Sequence, residues 1–406
     1  MKFLCWGENL CGIVIVTKEL RLRTCPHPRI RPNLLPQTKE STSTFTMSAT
    51  FTFPEANALT AKLYQTLKRH PKRIVFADGE DLRVLRVAAR MVEMEIMVPI
   101  LLGNRQNILQ MAEKEGLSMH LIRVIEPATS SEIDLFCSRL KKVARYQGKE
   151  IANPCELISR PHNFAAMMVQ YGHADGMVAG NQSMPATVFR AAMTMIKPIK
   201  EVPTVFGAMI MIAPPHLQNF GKDGILFLAD CGVIPVPDVK QLASIAVETG
   251  KLARHFLGRP PRIAMLSHST HGSANTESAQ KMAAATVLAQ QKIEKNYLEM
   301  KIDGEIQADV ALDATAAEVK VKDNAAQSAA DVLVFPNLDA GHISLKLLQH
   351  VGGAQNYGQL IMGLSRPAAQ VPRTVSEETL LGTAAIVGIE AIKFNDMHIE
   401  KEQGRN

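Results

Sequence analysis

Apolar runs of strand length alternate with segments of helical periodicity along most of the chain. From Met47 onward, nine runs have the length and composition of buried strands. They cover residues 74–77, 98–102, 121–125, 176–179, 206–212, 224–228, 263–266, 332–335 and 361–364. Segments 82–96 and 238–257 place apolar residues along one side of a helix. This alternation is typical of βαβ units and predicts an α/β fold with mainly parallel sheets.

The first 46 residues differ in composition from everything that follows. They hold the single Trp, half of the cysteines and a Pro-rich stretch, and their seven Lys/Arg against three Glu supply +4 of the formal net charge of +6. Acidic residues and scattered prolines are unsuited to an amphipathic transit helix. We therefore predict a disordered or non-native extension, with Met47 as an alternative start, in preference to a targeting signal.

Bulk composition excludes several classes of protein. With 406 residues and 46% hydrophobic composition, the chain has enough apolar material for two domains. The body after residue 46 is close to neutral and poor in aromatics, which argues against nucleic-acid binding. No apolar run approaches the ~18 residues of a membrane span. Six cysteines without a Cys-x-x-Cys pair predict reduced thiols and a cytoplasmic location.

Segment 262–282 reads as a buried strand, a loop rich in hydroxyl groups and a helix. Helix N-termini attract anions through free amide groups and the helix dipole, so the loop is a candidate anion site. Ser and Thr at such places are also ordinary caps and turn formers, and both interpretations stay open here. The candidate binding residues of this loop are Ser267, Ser269, Thr270, Gly272 and Ser273.

Other polar loops follow predicted strands, and three of them lead to basic residues. Ligands of open parallel sheets usually bind at strand ends, so we expect these cations to converge on one anion. Turn chemistry with a surface cation beside it is the alternative for each loop. The candidates are Ser183 with Arg190, Asp339 with Lys346, and Arg366 with Arg373, beside the polar turn 230–232.

The loop after the first predicted strand is acidic. Residues 78–81, Asp-Gly-Glu-Asp, lack both common phosphate-loop spacings and are expected to stabilise the following helix electrostatically. On that helix Arg83, Arg86 and Arg90 share one side, which predicts a solvated face. The twelve histidines have no metal-ligand spacing, so no metal is proposed.

Several of these segments resemble, in order, the signature segments of the phosphate acetyltransferases. The resemblance runs from about residue 72 to 393 and extends to the phosphate butyryltransferases and to the acetyltransferase-like C-terminal domain of hybrid malic enzymes. The segments that carry it are 73–81, 176–180, 262–273, 303–307, 335–341 and 363–367.

The resemblance implies two three-layer α/β domains with an isocitrate/isopropylmalate-dehydrogenase-like arrangement and an active-site cleft between them. The first domain would comprise residues 47–201 and 358–398, and the second residues 202–357. It also implies a homodimer and an acyltransferase reaction, acetyl-CoA plus phosphate giving coenzyme A plus acetyl phosphate. Coenzyme A would be a substrate, with no further cofactor and no nucleic-acid or membrane partner.

The resemblance assigns roles to some candidates and removes the expected base. Arg373 matches the family's phosphate-binding arginine, and Arg190 matches a second family arginine. The family's Ser before the first arginine is Pro372 here, and its catalytic Asp six residues after that arginine is Thr379. Because neither Pro nor Thr can act as that base, another group must take the proton of the thiol.

Three residues are candidates for the missing base. Glu378 is the nearest carboxylate, although one residue along a helix rotates a side chain by ~100° and Ser376 as a cap would give it a structural role. His268 and His271 in the candidate anion loop are the others. The alternatives for the whole protein are a catalytically impaired regulatory or scaffold module that binds acetyl-CoA or acetyl phosphate, a propionyl- or butyryl-specific acyltransferase, and a dehydrogenase of similar architecture.

Overall fold

The structure of the protein, a computed structural model, describes residues 56–146, 151–202, 204–217, 220–221, 224–321 and 329–403. The predicted extension over residues 1–46 lies outside this range. Within the described residues, no helix is long and apolar enough to cross a membrane.

Eleven strands of the described chain form one continuous sheet. Its order is β3-β2-β1-β4-β11-β10-β5-β6-β9-β7-β8. The strands are β1 (Lys72–Phe76), β2 (Met97–Leu102), β3 (Arg123–Ile125), β4 (Gly176–Ala179), β5 (Phe206–Ile212), β6 (Ile225–Ala229), β7 (Arg262–Leu266), β8 (Lys301–Ile306), β9 (Val332–Val334), β10 (Gln355–Met362) and β11 (Ala368–Gln370).

Strand direction reverses in the middle of the sheet. β10 is antiparallel to both β11 and β5, and β5 is antiparallel to β6, whereas the other neighbouring pairs are parallel. The strands on the β11 side therefore point opposite to those on the β6 side. The mainly parallel α/β fold is confirmed, and β10 with β5 joins its two halves.

Helices follow most of the parallel strands. The α-helices are α1 (Ala58–Arg69), α2 (Leu82–Glu93), α3 (Arg105–Glu115), α4 (Ile133–Tyr146), α5 (Pro154–Ile158), α6 (Pro161–Gln170), α7 (Pro185–Met195), α8 (Val239–Leu257), α9 (Glu277–Lys295), α10 (Ala308–Leu312), α11 (Ala314–Lys320), α12 (Leu338–His350) and α13 (Glu377–Gln403). Short 3-10 helices occupy Pro127–Thr129 and Pro215–Leu217.

Successive residues of a strand pack into different apolar clusters. Ile74 and Phe76 of β1 belong to one cluster, and Val75 and Ala77 belong to another. Alternate side chains of a strand point to opposite faces of the sheet, so both faces are covered. This layered packing explains why the parallel strands are almost continuously apolar in sequence.

Eight of the nine predicted strands agree with the structure, the run 361–364 overlaps β10 only at its last two residues, and two observed strands were missed. β8 escaped detection because Asp303, Gly304 and Glu305 interrupt its apolar run, and β11 has only three residues. The helix over 238–257 is confirmed as α8, with Asp238 as a capping-box residue and Gly258 as a left-handed C-cap at φ 67°. The proposed domain limits remain a prediction.

The cysteine prediction is wrong for one pair. Cys137 on α4 and Cys155 on α5 are joined in a disulfide, with Cα atoms 5.0 Å apart. The pair escaped notice because 18 residues separate the two positions in sequence, and proximity arises only when α4 packs on α5.

We predict that Gly382→Ala destabilises the fold by about 1–3 kcal/mol, the usual cost of overpacking a core. Gly382 of α13 faces the fully buried ring of Tyr357 on β10, and an added Cβ would collide with that ring. Urea denaturation measures the loss. In a Tyr357→Leu background the same substitution should cost less, and equal costs in both backgrounds would show that the ring is not the cause.

Candidate active site

A cleft of about 420 Å³ lies where the two halves of the sheet meet, and we call it the main cleft. Its wall on one side comes from α7 and from Pro372 after β11, and on the other side from α12 and the turn after β6. β10 contributes its floor. Residues from both halves thus line one cavity, although they are far apart in sequence. Those used below are Phe189, Cys231, Asp339, His342, Lys346, Gln359, Gln370 and Pro372.

One face of α12 supplies the polar side of the main cleft. Asp339, His342 and Lys346 stand at helical spacings of three and four residues, and all three line the cavity. Asn337 caps the helix by accepting a 2.9 Å bond from the amide of Ala340. The structure therefore brings together two predicted residues, Asp339 and Lys346, with a histidine that had not been predicted.

A second hollow, of about 740 Å³, adjoins the main cleft along α7. The two cavities share Pro185, Phe189 and Gly232 as lining residues. Arg190 lines this side hollow and is exposed. The side hollow therefore adds a cation to the surroundings of the main cleft.

Arg373 lies in the exposed turn between β11 and α13. It directly follows Pro372, which lines the main cleft. Its backbone carbonyl accepts a 2.8 Å hydrogen bond from Nη1 of Arg83. Arg190 and Lys346 thus line the two adjoining cavities, and Arg373 directly follows a residue that lines the main cleft.

Arg83 ties together three strand-end loops. Its Nη1 also donates to the carbonyl of Val375 at 2.9 Å, and its Nη2 donates to the carbonyl of Asn181 at 3.1 Å. The guanidinium forms a two-point ion pair with Asp81, at 2.6 and 3.0 Å, in the loop after β1. One planar, permanently charged group thereby holds the loops after β1, β4 and β11 together.

The prediction of a solvated arginine face on α2 is wrong for two residues. Besides the bonds of Arg83, Arg86 pairs with Glu115 at 2.6 Å and with Glu377 at 3.2 Å. Periodicity identifies the side of a helix that carries charge, but the partners come from segments far along the chain.

Asp78 connects two of the same loops beneath the surface. It is buried, and its Oδ2 accepts from the amides of Gly180 at 2.6 Å and Asn181 at 3.0 Å. Burial alone would raise the pKa of this carboxyl, but the hydrogen bonds from His162 and from the two amides outweigh burial and lower it. Asp81 caps α2 as expected, whereas Asp78 binds the loop after β4.

Ser183 is already engaged by a neighbour. Its Oγ lies 2.8 Å from Nε2 of His162, and the same nitrogen lies 3.4 Å from Asp78. Because both contacts use one ring nitrogen, this is not the arrangement of a catalytic triad, in which the two partners bind different nitrogens. The hydroxyl helps to order the loop that leads to Arg190, and its role in binding substrate stays a prediction.

The loop 267–273 does hold an anion, and that anion is the carboxylate of Glu305. Ser269 donates to its Oε1 at 2.9 Å and the amide of Gly272 does so at 2.7 Å. Within the loop, Ser273 accepts from the amide of Thr270, and Ser267 accepts from the amide of Ser269. The hydroxyl of Ser269 and the amide of Gly272 are thus used by Glu305 of β8, and none of the five candidate residues appears in the lining of the main cleft.

The two histidines of that loop also have structural partners. Nε2 of His268 lies 3.2 Å from Oγ1 of Thr276, and Nε2 of His271 lies 2.9 Å from Asp303. Neither histidine lines the main cleft. The structure therefore does not favour them as the missing base.

Glu378 faces a different neighbourhood from the one expected. Burial raises the pKa of Tyr64 to about 12 and also raises that of Tyr357, and the nearby charge of Glu378 adds to both shifts. Ser376 caps α13 by accepting from the amide of Thr379 at 3.1 Å. The charge of Glu378 thus reaches the tyrosines of α1 and β10, and Glu378 is not in the lining of the main cleft.

Arg366 does not share the cleft with the other predicted cations. It stands before β11, whereas Arg373 stands after it, so the two lie at opposite ends of that strand. Its guanidinium stacks on the ring of Phe394 at 4.1 Å. Burial lowers its pKa, against the smaller effect of Asp175 at the amino end of β4. Arg366 was expected to converge with the other cations and does not. β10 runs antiparallel to β11, so the loop from β10 to β11, which carries Arg366, lies at the opposite edge of the sheet from Arg373.

A sequence profile of the family described as "Phosphate acetyl/butaryl transferase" matches residues 58–388. The chain belongs to this family. A phosphate acetyltransferase from Acetivibrio thermocellus is 33% identical over 330 residues, covering 81% of this chain and 97% of that relative. A phosphate acetyltransferase from Staphylococcus epidermidis is 36% identical over 326 residues, covering 79% of this chain and 95% of that relative. The suspected family resemblance is confirmed.

Solved structures agree with this membership of the phosphate acetyltransferase family. The EutD phosphotransacetylase from Staphylococcus aureus superposes with a TM-score of 0.73 at 34% identity, covering 83% of this chain and 100% of that one. A phosphotransacetylase from Streptococcus pyogenes superposes with a TM-score of 0.76 at 29% identity, covering 84% of this chain and 100% of that one.

Replacing Arg83 by Lys should loosen the turn that carries Arg373. Lysine keeps the charge but cannot reproduce the planar fork that reaches three carbonyls and Asp81. Hydrogen exchange at the amides of residues 373–376 should accelerate by roughly tenfold or more, as expected for a locally weakened segment. Arg90→Lys, on the same helix, is the control and should leave this exchange unchanged. Unaltered exchange in Arg83→Lys would contradict the role given to Arg83.

Asp78→Asn should lower the free energy of unfolding by about 1–3 kcal/mol at pH 7, because charged hydrogen bonds are lost from a buried site. The depressed pKa of Asp78 means that its stabilisation is present above the ordinary pKa of about 3.9 and is lost as the pH falls through the lower folded value. The difference in free energy of unfolding between wild type and Asp78→Asn should therefore become smaller below about pH 4. Urea titrations at pH 7 and pH 3.5 measure it, and a pH-independent difference would refute the charge assignment.

Proposed function

We propose that the protein is a phosphate acyltransferase that transfers an acetyl group reversibly between acetyl phosphate and coenzyme A. The single observation that carries the proposal is that Lys346 lines the main cleft and Arg190 lines the adjoining side hollow, while Arg373 directly follows the cleft residue Pro372. Relatives that are 33% and 36% identical over most of their length are phosphate acetyltransferases by name, which supports the acetyl group and the phosphate.

The chemistry fits these side chains. The sulfur of coenzyme A attacks the acyl carbon and the phosphate leaves, so negative charge grows on the leaving oxygens. Fixed cations stabilise that charge better than water does, because they need no reorganisation during the reaction. Apolar lining residues such as Phe189 and Met209 suit the short acyl group.

A second candidate function rests on Pro372 and Thr379, which occupy positions where the family resemblance predicts a serine and a catalytic aspartate. A chain without its base would bind acetyl-CoA or acetyl phosphate and act as a regulatory or scaffold module. Calorimetry separates the two candidates: micromolar binding without turnover supports the module, and turnover supports the enzyme.

The deciding assay mixes purified full-length protein with coenzyme A and acetyl, propionyl or butyryl phosphate, and follows thioester absorbance. We expect acetyl-CoA to form fastest. Thioester formation from none of the three, under conditions where a known phosphate acetyltransferase works, would refute the proposal. A preference for butyryl phosphate would change the proposed substrate to one with a longer acyl chain.

Assembly as a homodimer belongs to the same proposal. Ile343 at the edge of the main cleft, Leu347 of α12 and Val351 just after that helix are exposed apolar residues at helical spacing, and such groups often mark contacts between subunits. Light scattering should give twice the chain mass for wild type and the chain mass for Leu347→Glu. A monomeric wild type would refute the dimer.

A cytoplasmic location is proposed from cysteine usage alone. Its support is weakened by the Cys137–Cys155 disulfide, which is unusual in a reducing compartment. Labelling of free thiols in freshly isolated protein tests it. Labelled Cys137 and Cys155 would favour the cytoplasm, and unlabelled ones would count against it.

Arg373→Ala should reduce kcat by about 10²–10³-fold, if loss of this cation resembles loss of an oxyanion donor. The side chain is exposed, and the bond from Arg83 goes to the backbone carbonyl of residue 373, so folding should change little. Steady-state kinetics and urea denaturation measure the two effects. Arg69→Ala removes an exposed arginine that does not line the cleft and should retain activity. Equal rates in Arg373→Ala and wild type would place the reaction elsewhere.

A further inference from the structure

The proposed reaction requires a base, and the structure narrows the choice. A thiol with an ordinary pKa near 8.5 is largely protonated at pH 7, so its proton must be removed as the sulfur attacks. Thr379 carries a hydroxyl, and the charge of Glu378 acts on Tyr64 and Tyr357. His268 contacts Thr276, and His271 contacts Asp303. His162 contacts Ser183 and Asp78. None of these groups lines the main cleft.

His342 does line the main cleft, and among the lining residues it is the one imidazole. It is exposed on the polar face of α12, one turn after Asp339 and one turn before the cation Lys346. Across the same cavity lies Pro372, which is joined directly to Arg373. An imidazole is the side chain best suited to exchange protons near neutral pH.

The other titratable groups around His342 are poorer candidates. Burial raises the pKa of the Cys231 thiol, so it stays protonated, and the buried Asp230 behind it binds four backbone amides. A carboxylate can also act as a base, but an imidazole exchanges protons more readily near neutral pH, which favours His342 over Asp339, and Lys346 is cationic. β10 and β11 contribute the neutral amides of Asn356, Gln359 and Gln370, and α7 contributes Pro185 and Phe189.

We propose that His342 is the general base that takes the proton of the coenzyme A thiol as its sulfur attacks the acyl carbon. The sulfur–carbon bond forms and the bond from the acyl carbon to the phosphate oxygen breaks. The imidazolium then gives the proton to the leaving phosphate, so HPO₄²⁻ and the thioester are released and the imidazole is restored. Lys346 and Arg373 stabilise the departing anion. This inference rests on the proposed acyltransferase function and names the group that replaces the missing aspartate.

The test compares full-length wild type, His342→Gln and His350→Gln at pH 7, 8 and 9 with acetyl phosphate and coenzyme A. At pH 7 we expect His342→Gln to lose about 10²-fold or more in kcat/KM, within the usual range for general bases. The deficit should shrink by roughly tenfold between pH 7 and pH 8, because free thiolate rises tenfold per pH unit below the thiol pKa. His350, exposed near the end of the same helix and outside the cleft lining, is the control and should keep the wild-type profile.

Calorimetric affinity for coenzyme A and urea denaturation distinguish a missing base from a damaged site. A base role predicts that both stay close to wild type in His342→Gln. Activity within threefold of wild type at all three pH values, or a deficit that does not change with pH, would overturn the proposal. If wild type binds coenzyme A but forms no thioester, the proposed function itself fails and this inference fails with it. An active wild type with an unimpaired variant refutes the base role alone.

Discussion

The hydrogen bonds of Arg83 set the geometry on which the candidate site depends. Arg83 stands in the first turn of α2. Its guanidinium pairs with Asp81 and donates hydrogen bonds to the carbonyls of Asn181, Arg373 and Val375. The segments that it joins follow three parallel strands of the same half-sheet. Charge-assisted bonds to several backbone carbonyls order these loops. The loops that lead to Arg190 and Arg373 are therefore fixed by backbone contacts, which leaves their own side chains available for ligands.

Asp78 and Glu305 also fix strand-end loops through hydrogen bonds with the loop backbone, and both lie inside the protein. Each is a buried carboxylate that binds amides of a strand-end loop, Asp78 after β4 and Glu305 after β7. Loops that bind anions need converging donors, and a carboxylate from the next strand supplies the anion internally. Glu305 thus orders the loop 267–273, whose role in binding substrate stays a prediction, and the polar groups that line the main cleft come from α12, β10 and β11.

Sequence periodicity was sufficient for the strands, the long helices and the direction of most of the sheet. Local signals also gave the limits of the helix over residues 238–257 and identified Ser376 as a helix cap, because helix ends depend on neighbours a few residues away. Sequence patterns did not reveal which loops meet. Arg366 was grouped with Arg373 because both follow polar turns, but the antiparallel β10 separates them by the length of β11. His342 was overlooked because its importance comes from the cavity that α12 faces, and a single histidine in a helix carries no such signal.

Phosphorus NMR of the full-length protein mixed with acetyl-CoA and inorganic phosphate shows whether this site moves an acetyl group between sulfur and phosphate. We expect a growing acetyl phosphate resonance, with one free thiol released for each acetyl phosphate formed. Thiol release without acetyl phosphate would indicate hydrolysis, and unchanged acetyl-CoA would indicate binding alone. Either result would refute acetyl transfer at this site.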